Sequence, residues 1–235
     1  MLRALGASVR GPAHTAEGLA NQDAWSARVG ARGALAVVCD GMGSKPHARL
    51  GAISAVAAAR SAFGHWVRAS NGRPEDLARL TEVLWRLRLG ETPPEQAATT
   101  CLLGALRPDG SGAALQLGDG LIGVLRPDNS FTVLTPERTT FGSLSVGLGV
   151  RHGLTDWGLH TVTPLPPGGA LILASDGVAD DLQPKRWADF VTWLVSDVAC
   201  DPAPVRRLQR ELRAWPVPHH RDDKTVVVLW NTPDQ

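Results

Sequence analysis

Cysteine and long apolar runs are scarce in this chain. Its 235 residues include three cysteines, Cys39, Cys101 and Cys200, in no CxxC spacing. An odd and unpatterned set of cysteines argues against a disulfide framework and favours free thiols in a reducing compartment. The most apolar stretch, residues 50–59, is far shorter than the roughly 20 residues of a membrane span, and residues 1–14 lack the apolar core of a secretion signal. We therefore expect a cytoplasmic protein with no membrane partner.

An excess of one charge is also missing. Lys and Arg total 24, Asp and Glu total 23, and the formal net charge at pH 7 is +1. No overall field draws such a chain to nucleic acid or anionic lipid, so we expect no nucleic-acid partner. The proportions of hydrophobic residues (43%) and charged residues (20%) are typical of globular proteins and exclude a disordered or fibrous chain. Because no linker or repeat divides the chain, we expect one domain over residues 1–235, and we expect a monomer.

Apolar, β-branched runs bounded by Gly, Pro and Asp predict eight strands. They cover residues 24–29, 34–39, 100–106, 113–117, 121–125, 131–134, 171–174 and 225–230. Helical spacing of apolar side chains occurs within residues 53–67, 77–87, 187–198 and 205–215. Strict strand–helix–strand alternation is missing, because two pairs of helices separate blocks of strands. The order therefore favours a mostly antiparallel α+β sandwich over a doubly wound parallel sheet.

Aspartate followed by glycine occurs four times, and the simplest cause of each pair is a turn. Asp109-Gly110 lies between two strand-like runs, so we interpret it as a hairpin turn. Asp119-Gly120 also has strands on both sides, and a hairpin remains an open interpretation there. By contrast, Asp40-Gly41 and Asp176-Gly177 end apolar strands and are followed by helices. A carboxylate at the exit of a buried strand is a good position for a metal ligand.

Two further carboxylates stand at strand starts. Asp23 opens an early strand and Asp222 precedes the last one, although each alone also fits a turn or a solvated charge. If these two converge with Asp40 and Asp176, the anions raise each other's pKa unless cations neutralise them. Hard oxygen ligands without accompanying cysteine favour Mg²⁺ or Mn²⁺. Two such ions about 3.5 to 4 Å apart can activate a water and stabilise displacement at phosphorus, so the expected reaction is phosphoester hydrolysis.

Six motifs, in this order, resemble those of the PP2C (PPM) family of metal-dependent serine/threonine protein phosphatases, bacterial type. They are Asn21-Gln22-Asp23, Asp40-Gly41-Met42-Gly43, Ala98-Thr99-Thr100, Gly118-Asp119-Gly120, Ser175-Asp176-Gly177-Val178-Ala179-Asp180 and Asp222-Asp223-Lys224-Thr225. The resemblance covers residues 6–230 and implies a four-layer α/β/β/α sandwich, with two mostly antiparallel sheets flanked by helices. It also implies hydrolysis of phosphoserine and phosphothreonine in a phosphorylated protein, with a cognate Ser/Thr kinase or its targets as partners.

The resemblance assigns a role to each catalytic aspartate. Asp40 is expected to bridge two Mn²⁺ or Mg²⁺ ions, and the carbonyl oxygen of Gly41 to bind one of them. Asp176 and Asp222 are expected to hold the other ion. Asp23 is expected to lie behind the ligands and to orient metal-bound water.

Other family positions are matched less directly. Asp119 and Asp180 match carboxylates that form a third, weaker metal site in bacterial relatives. Met42 stands where eukaryotic members often carry a general-acid histidine, as is common in the bacterial type. The flap that covers the site in bacterial relatives is expected to shrink to residues 141–149, a segment that equally fits a flexible connection.

Two departures from the family pattern bear on activity. Gln22 replaces an acidic metal ligand, which should weaken the second ion. Gly18 stands where the phosphate-binding arginine is usual, which leaves Arg10 and His14 as candidates for binding substrate phosphate. The departures keep a second reading open, a catalytically weak binding or regulatory module. A hydrolase of small phosphoesters is a third reading.

Overall fold

The structure, a computed structural model, describes residues 1–69, 72–135, 146–217 and 220–232. The strands found there are β1 (Leu2–Val9), β2 (Asp23–Gly30), β3 (Gly33–Asp40), β4 (Cys101–Leu106), β5 (Gly112–Leu117), β6 (Leu121–Leu125), β7 (Phe131–Val133), β8 (Gly158–Val162), β9 (Ala170–Ala174) and β10 (Lys224–Asn231). The α-helices are α1 (Pro12–Ala16), α2 (Ala48–Trp66), α3 (Pro74–Leu89), α4 (Asp176–Ala179), α5 (Trp187–Ser196) and α6 (Pro204–Arg213). Short 3₁₀ turns occupy Pro94–Gln96, Leu154–Asp156, Pro184–Arg186 and Val198–Cys200. Among the helices described, none is long and apolar enough to cross a membrane.

The described strands form two five-stranded sheets. Sheet A has the order β1-β10-β9-β6-β7, and sheet B has the order β2-β3-β4-β5-β8. Every pair of neighbouring strands is antiparallel. The α+β class is therefore confirmed, and the doubly wound parallel sheet is excluded.

Three apolar clusters divide the molecule into four layers. Side chains such as Leu102 and Leu173 fill the space between the sheets. On the outer face of sheet B, α2 and α3 pack through a cluster that contains the fully buried Trp85. On the outer face of sheet A, α5 and α6 pack through a cluster that contains Trp187 and Leu208. The predicted α/β/β/α sandwich is confirmed.

The layered packing explains which strands the sequence predicted well. Strands β3 and β9 are buried on both faces, so every position from Ala34 to Cys39 is apolar and inaccessible to solvent, as expected of a strand covered on both sides. The eight predicted strands were all found, with ends shifted by at most one residue. The two missed strands, β1 and β8, lie at sheet edges, where partial exposure removes the continuous apolar run.

The helical stripes were predicted in the right places but partly on the wrong face. In α3, Leu87 is 71% exposed, whereas Trp85 is fully buried. In α2, Ile53 is 48% exposed, and the buried face is formed largely by alanines. Small side chains let α2 approach sheet B closely, so the larger apolar residues were a misleading guide to its buried face.

Candidate active site

The predicted aspartates meet at one end of the sandwich because of strand pairing. Strand β2 begins where β3 ends, so that Asp23 is paired with Asp40 across sheet B. In sheet A, β10 begins beside the end of β9, which brings Asp222 towards Asp176. Between them lies a cavity of about 320 Å³, the central cavity. It is lined by His14, Gln22, Asp40, Gly41, Met42, Gly43, Ser44, Thr100, Asp119, Asp176 and Asp222.

The main chain around Asp40 is held by the threonines of the Ala98-Thr99-Thr100 motif. The amide of Asp40 donates to Thr100 Oγ1 at 2.9 Å. The carbonyl oxygen of Asp40 accepts from Thr99 Oγ1 at 2.8 Å and from the Thr100 amide at 2.8 Å. The next residue, Gly41, packs so closely on the Ala48 backbone that a Cβ would overlap it. These contacts leave the Asp40 carboxylate as the group that reaches the cavity.

Asp23 lies behind the cavity wall and is 8% exposed. Its Oδ2 atom accepts hydrogen bonds from Thr225 Oγ1 at 2.6 Å and Ser175 Oγ at 3.0 Å. Burial is the main cause that raises the pKa of Asp23 to about 7, and the charges of Asp223 and Asp176 add to it. The two hydroxyl groups lower the pKa but do not cancel the effect of burial. Asp23 therefore joins the two sheets and holds a carboxylate that is costly to ionise.

Burial, reinforced by repulsion among neighbouring carboxylates, determines the electrostatics of the cavity aspartates. Burial and then the charges of Asp23 and Asp176 raise the pKa of Asp40 well above its usual range. Burial and the charge of Asp222 raise the pKa of Asp176. The cluster therefore needs positive charge, either protons or a cation.

The donor atoms present fit a hard divalent cation. Asp176 Oδ1 and Gln22 Oε1 are buried and have no hydrogen-bond partner among the described residues. Carboxylate and amide oxygens are the ligands that Mg²⁺ and Mn²⁺ prefer. In the described part of the chain, no group of three or more His, Cys, Asp or Glu side chains is arranged to hold a metal ion as it stands. An ion would have to draw these oxygens closer together.

Asp223, to which the sequence analysis assigned no role, organises the part of the cavity wall that contains His14 and Gln22. This aspartate is 2% exposed, and its Oδ1 accepts from the Gly11 amide at 2.7 Å. Its Oδ2 lies 2.9 Å from His14 Nδ1 and accepts from the Gln22 amide at 2.6 Å. Two separate segments, residues 11–14 and Gln22, therefore meet on one buried carboxylate. The only sequence signal was its position in the motif beside Asp222.

Lys224 is a second residue whose role the sequence did not reveal. Its side chain is 2% exposed, and its ammonium group donates to the carbonyl oxygen of Gly177 and to Asp181 Oδ2, the latter at 2.7 Å. Because Gly177 follows Asp176 in α4, this lysine ties the start of β10 to the turn that carries Asp176. Burial of a lysine is unusual unless it is paired, so the contact was not predictable from sequence alone.

The two candidates for binding substrate phosphate lie in different places. His14 lines the central cavity. Arg10 instead lines a larger neighbouring pocket, and its guanidinium donates to the Leu19 carbonyl oxygen at 3.1 Å. Arg10 directly follows β1, whereas His14 lies within α1, and the two side chains line different pockets.

The residues expected at a third metal site also separate. Asp119 lines the central cavity, while Asp180 is exposed and lines an adjacent pocket that shares Asp176 and Asp222. A hairpin turn at Asp119 is wrong, because β5 belongs to sheet B and β6 to sheet A. The crossing between sheets is what brings Asp119 to the cavity. Most of the flap proposed over residues 141–149 lies outside the described residues.

The hairpin interpretation holds for Asp109. This aspartate connects β4 to β5 in a tight turn, in which the Arg107 amide donates to the Ser111 carbonyl oxygen at 2.7 Å. The three cysteines are free, as expected. Burial, with neighbouring Cys101, raises the pKa of Cys39 well above its usual range, so this thiol is a packed core group.

Comparisons with known proteins agree with this geometry. The family model described as protein phosphatase 2C matches residues 10–215. Among solved structures, the chain is similar to the catalytic domain of the serine/threonine protein phosphatase PstP in complex with two manganese ions, with 20% identity, a TM-score of 0.68 and 99% of each chain covered. It is also similar to the PPM Ser-Thr phosphatase MsPP from Mycobacterium smegmatis in complex with cacodylate, with 22% identity, a TM-score of 0.63 and coverage of 97% of this chain and 98% of that one.

A third similar structure is PppA, a regulatory component of the T6SS in Pseudomonas aeruginosa, with 20% identity, a TM-score of 0.69 and 97% of each chain covered. No curated protein sequence matches the chain. The structural likenesses, all below 25% identity, concern the fold. The family match spans most of the 235 residues, and the chain belongs to the protein phosphatase 2C family.

Proposed function

We propose that this protein hydrolyses phosphoserine and phosphothreonine in phosphorylated proteins, with two Mn²⁺ or Mg²⁺ ions as cofactors. The observation that carries the proposal is the convergence of Asp40, Asp176 and Asp222 on one cavity, where burial and mutual repulsion raise the pKa of Asp40 and Asp176. A cluster of this kind is stabilised by bound divalent cations. Family membership supports the same reaction class.

The residues of the central cavity would divide the work. Asp40 would hold both ions, the Gly41 carbonyl oxygen would hold one of them, and Asp176 and Asp222 would hold the other. Asp119 and Asp180 remain candidates for a weaker third site. When bound, the ions supply an activated water and neutralise charge at phosphorus.

His14 is our candidate for contact with the substrate phosphate. Its Nδ1 atom lies 2.9 Å from the buried Asp223, which fixes the orientation of the ring. The ring lines the central cavity, so the opposite nitrogen, Nε2, is the atom available to a ligand. Asp23 would act as a positioning residue behind the ligands, since it is bonded to Ser175 next to Asp176.

The test is turnover of p-nitrophenyl phosphate by the purified protein with added Mn²⁺. Asp176→Ala should lower kcat/KM at least ~100-fold, because loss of residues that only support metal ligands already costs about 10- to 100-fold. Asp189→Ala, a change at an exposed position of α5, is the matched control and should leave turnover within about twofold of wild type. A folded protein without Mn²⁺-dependent turnover, or full activity in Asp176→Ala, would contradict the proposal.

Gln22 favours one alternative, a catalytically weak binding or regulatory module. A neutral amide stands at the cavity where a carboxylate would hold an ion more strongly. Calorimetric titration with Mn²⁺ separates the two functions. Two bound ions with turnover support the phosphatase, whereas no binding at millimolar Mn²⁺ supports the module. We include in the same proposal a cognate Ser/Thr kinase as partner, a cytoplasmic location, a monomeric state and a single domain.

A further inference from the structure

A second and larger pocket adjoins the central cavity. This flanking pocket has a volume of about 630 Å³, within the roughly 300 to 1,000 Å³ typical of ligand sites. It lies between the end of β1, α1, the end of α6 and the segment before β10. Asp222 borders both cavities. A ligand in the flanking pocket would therefore lie directly beside a phosphate in the central one.

The charge of the flanking pocket is positive. Arg10 and Arg213 line it and are exposed, and no ion pair is formed by either guanidinium within the described part of the chain. The side chain of His220 also lines the pocket. Lys224 adds little free charge because Asp181 lies 2.7 Å from its ammonium group.

The carboxylate of Asp222 does not balance these cations. We have placed Asp222 among the residues that hold the metal ions of the central cavity, so its charge would be neutralised there. The floor of the flanking pocket is apolar, with Val9 at 4% and Leu212 at 1% exposure. An aliphatic stem that ends in a carboxylate matches this combination of an apolar floor and two guanidinium groups.

We propose that the flanking pocket binds an acidic side chain of the substrate protein, close in sequence to the phosphorylated residue. The inference rests on the proposed phosphatase function and specifies its substrate class. An extended peptide advances roughly 3.3 to 3.6 Å per residue, so two pockets with a shared wall are spanned by about three residues. The substrate is therefore a phosphoserine or phosphothreonine with Glu or Asp within three positions.

The test compares two peptides that carry a phosphonate analogue of phosphoserine, which cannot be hydrolysed. One has Glu at the three positions on each side, and the other has Lys there. Binding of each fluorescent peptide to the full chain is measured by anisotropy in Mn²⁺. We expect the Glu peptide to bind about tenfold more tightly, since like charges at a binding site are strongly disfavoured. The matching phosphoserine peptides should differ in KM more than in kcat.

Charge reversal sharpens the test. Arg213→Glu replaces a positive charge of the pocket with a negative one, and it should bring the ratio of the affinities for the Glu and Lys peptides to one or below. Because this ratio compares two peptides on the same protein, any general damage to the protein cancels. Arg206→Glu makes the same charge change on α6 outside the pocket lining, and it should leave the ratio at the wild-type value. A wild-type ratio near one, or an Arg213→Glu ratio equal to that of Arg206→Glu, overturns the inference.

The two proposals fail in different ways. Turnover of p-nitrophenyl phosphate without a preference for the Glu peptide keeps the phosphatase and removes the acidic pocket. A preference for the Glu peptide without turnover supports the pocket and removes the phosphatase. Absence of binding to both peptides overturns the inference in either case.

Discussion

The two ends of the sandwich carry aspartates in similar sequence contexts but give them opposite chemistry. At the cavity end, burial and neighbouring charges raise the pKa of Asp40. At the turn end, formed by the β4–β5 and β6–β7 turns, hydrogen bonds from Ser111 lower the pKa of Asp109, and hydrogen bonds from Ser130 lower that of Asp128. The turn-end aspartates stay ionised in solvent, while the cavity aspartates repel one another. The difference shows that the surroundings of an aspartate in the folded protein, and not the local sequence, determine the direction of its pKa shift.

The largest expected effect is a loss of activity when an aspartate charge is removed at the cavity end, compared with the same change at the turn end. Asp40→Asn should lower Mn²⁺-dependent kcat/KM for p-nitrophenyl phosphate at least ~100-fold, because this carboxylate is the proposed bridge between the ions. Asp109→Asn should leave kcat/KM within about twofold. Equal effects at the two ends would contradict the assignment of the central cavity as the active site.

The next effect concerns the lysine that ties β10 to α4. Lys224→Met leaves Asp181 and the Gly177 carbonyl oxygen without their buried donor. We expect the free energy of unfolding in urea to fall by about 2 to 4 kcal/mol. The exposed Lys185→Met is the matched control and should change it by less than about 0.5 kcal/mol. A small loss in Lys224→Met would mean that this contact does not hold the Asp176 turn.

Asp23→Asn should separate stability from activity. Its pKa is raised to about 7, so at pH 8 the folded wild-type protein must keep a buried negative charge, and an amide removes that cost. We expect a higher Tm in EDTA at pH 8, together with a loss of about 10- to 100-fold in kcat/KM. Asp128→Asn should instead lower Tm, because its ionised form is favoured by the Ser130 hydrogen bonds. The same direction of Tm change in both variants would argue against the contrast between the two ends.

The smallest effect is a pH dependence of the metal-free protein. Between the usual value of 3.8 and about 7, folded Asp23 binds more protons than the unfolded chain does, so its contribution to stability falls as pH rises. The raised pKa values of Asp40 and Asp176 act in the same direction. We expect Tm in EDTA to fall as pH rises from about 4 to about 7, and the fall to shrink in saturating Mn²⁺. A Tm in EDTA that rises steadily over this window would contradict the raised pKa values.

Much of the site was predictable because its residues follow strands that the sequence marks clearly. Asp40 ends β3 and Asp176 follows shortly after β9. Both strands are buried on both faces, and a strand of that kind is recognisable as a continuous apolar run. The hairpin at Asp109 was predictable for the same reason. The crossing between sheets at Asp119 was not predictable. Two strands joined by Gly-Asp-Gly can pair in one sheet or belong to two sheets, and local sequence does not distinguish these cases.

Contacts between distant segments could not be predicted from the sequence. Asp223 binds Gly11, His14 and Gln22 across more than 200 positions of the chain, and no local pattern encodes such a meeting. The separation of Arg10 from His14 depends on how α1 packs against the segment before β10. The pairing of Lys224 with Asp181 likewise exists only once α4 lies over β10.

The sequence by itself determined the strand cores, the four main helices and the set of aspartates able to hold hard cations, because periodicity and ligand type are local properties. The tertiary structure decided which carboxylates share a cavity, which arginine faces which pocket and which charges are buried. Those outcomes depend on desolvation and on distances between segments far apart in the chain. Electrostatic interactions of this kind depend on the folded arrangement and cannot be predicted from local sequence patterns.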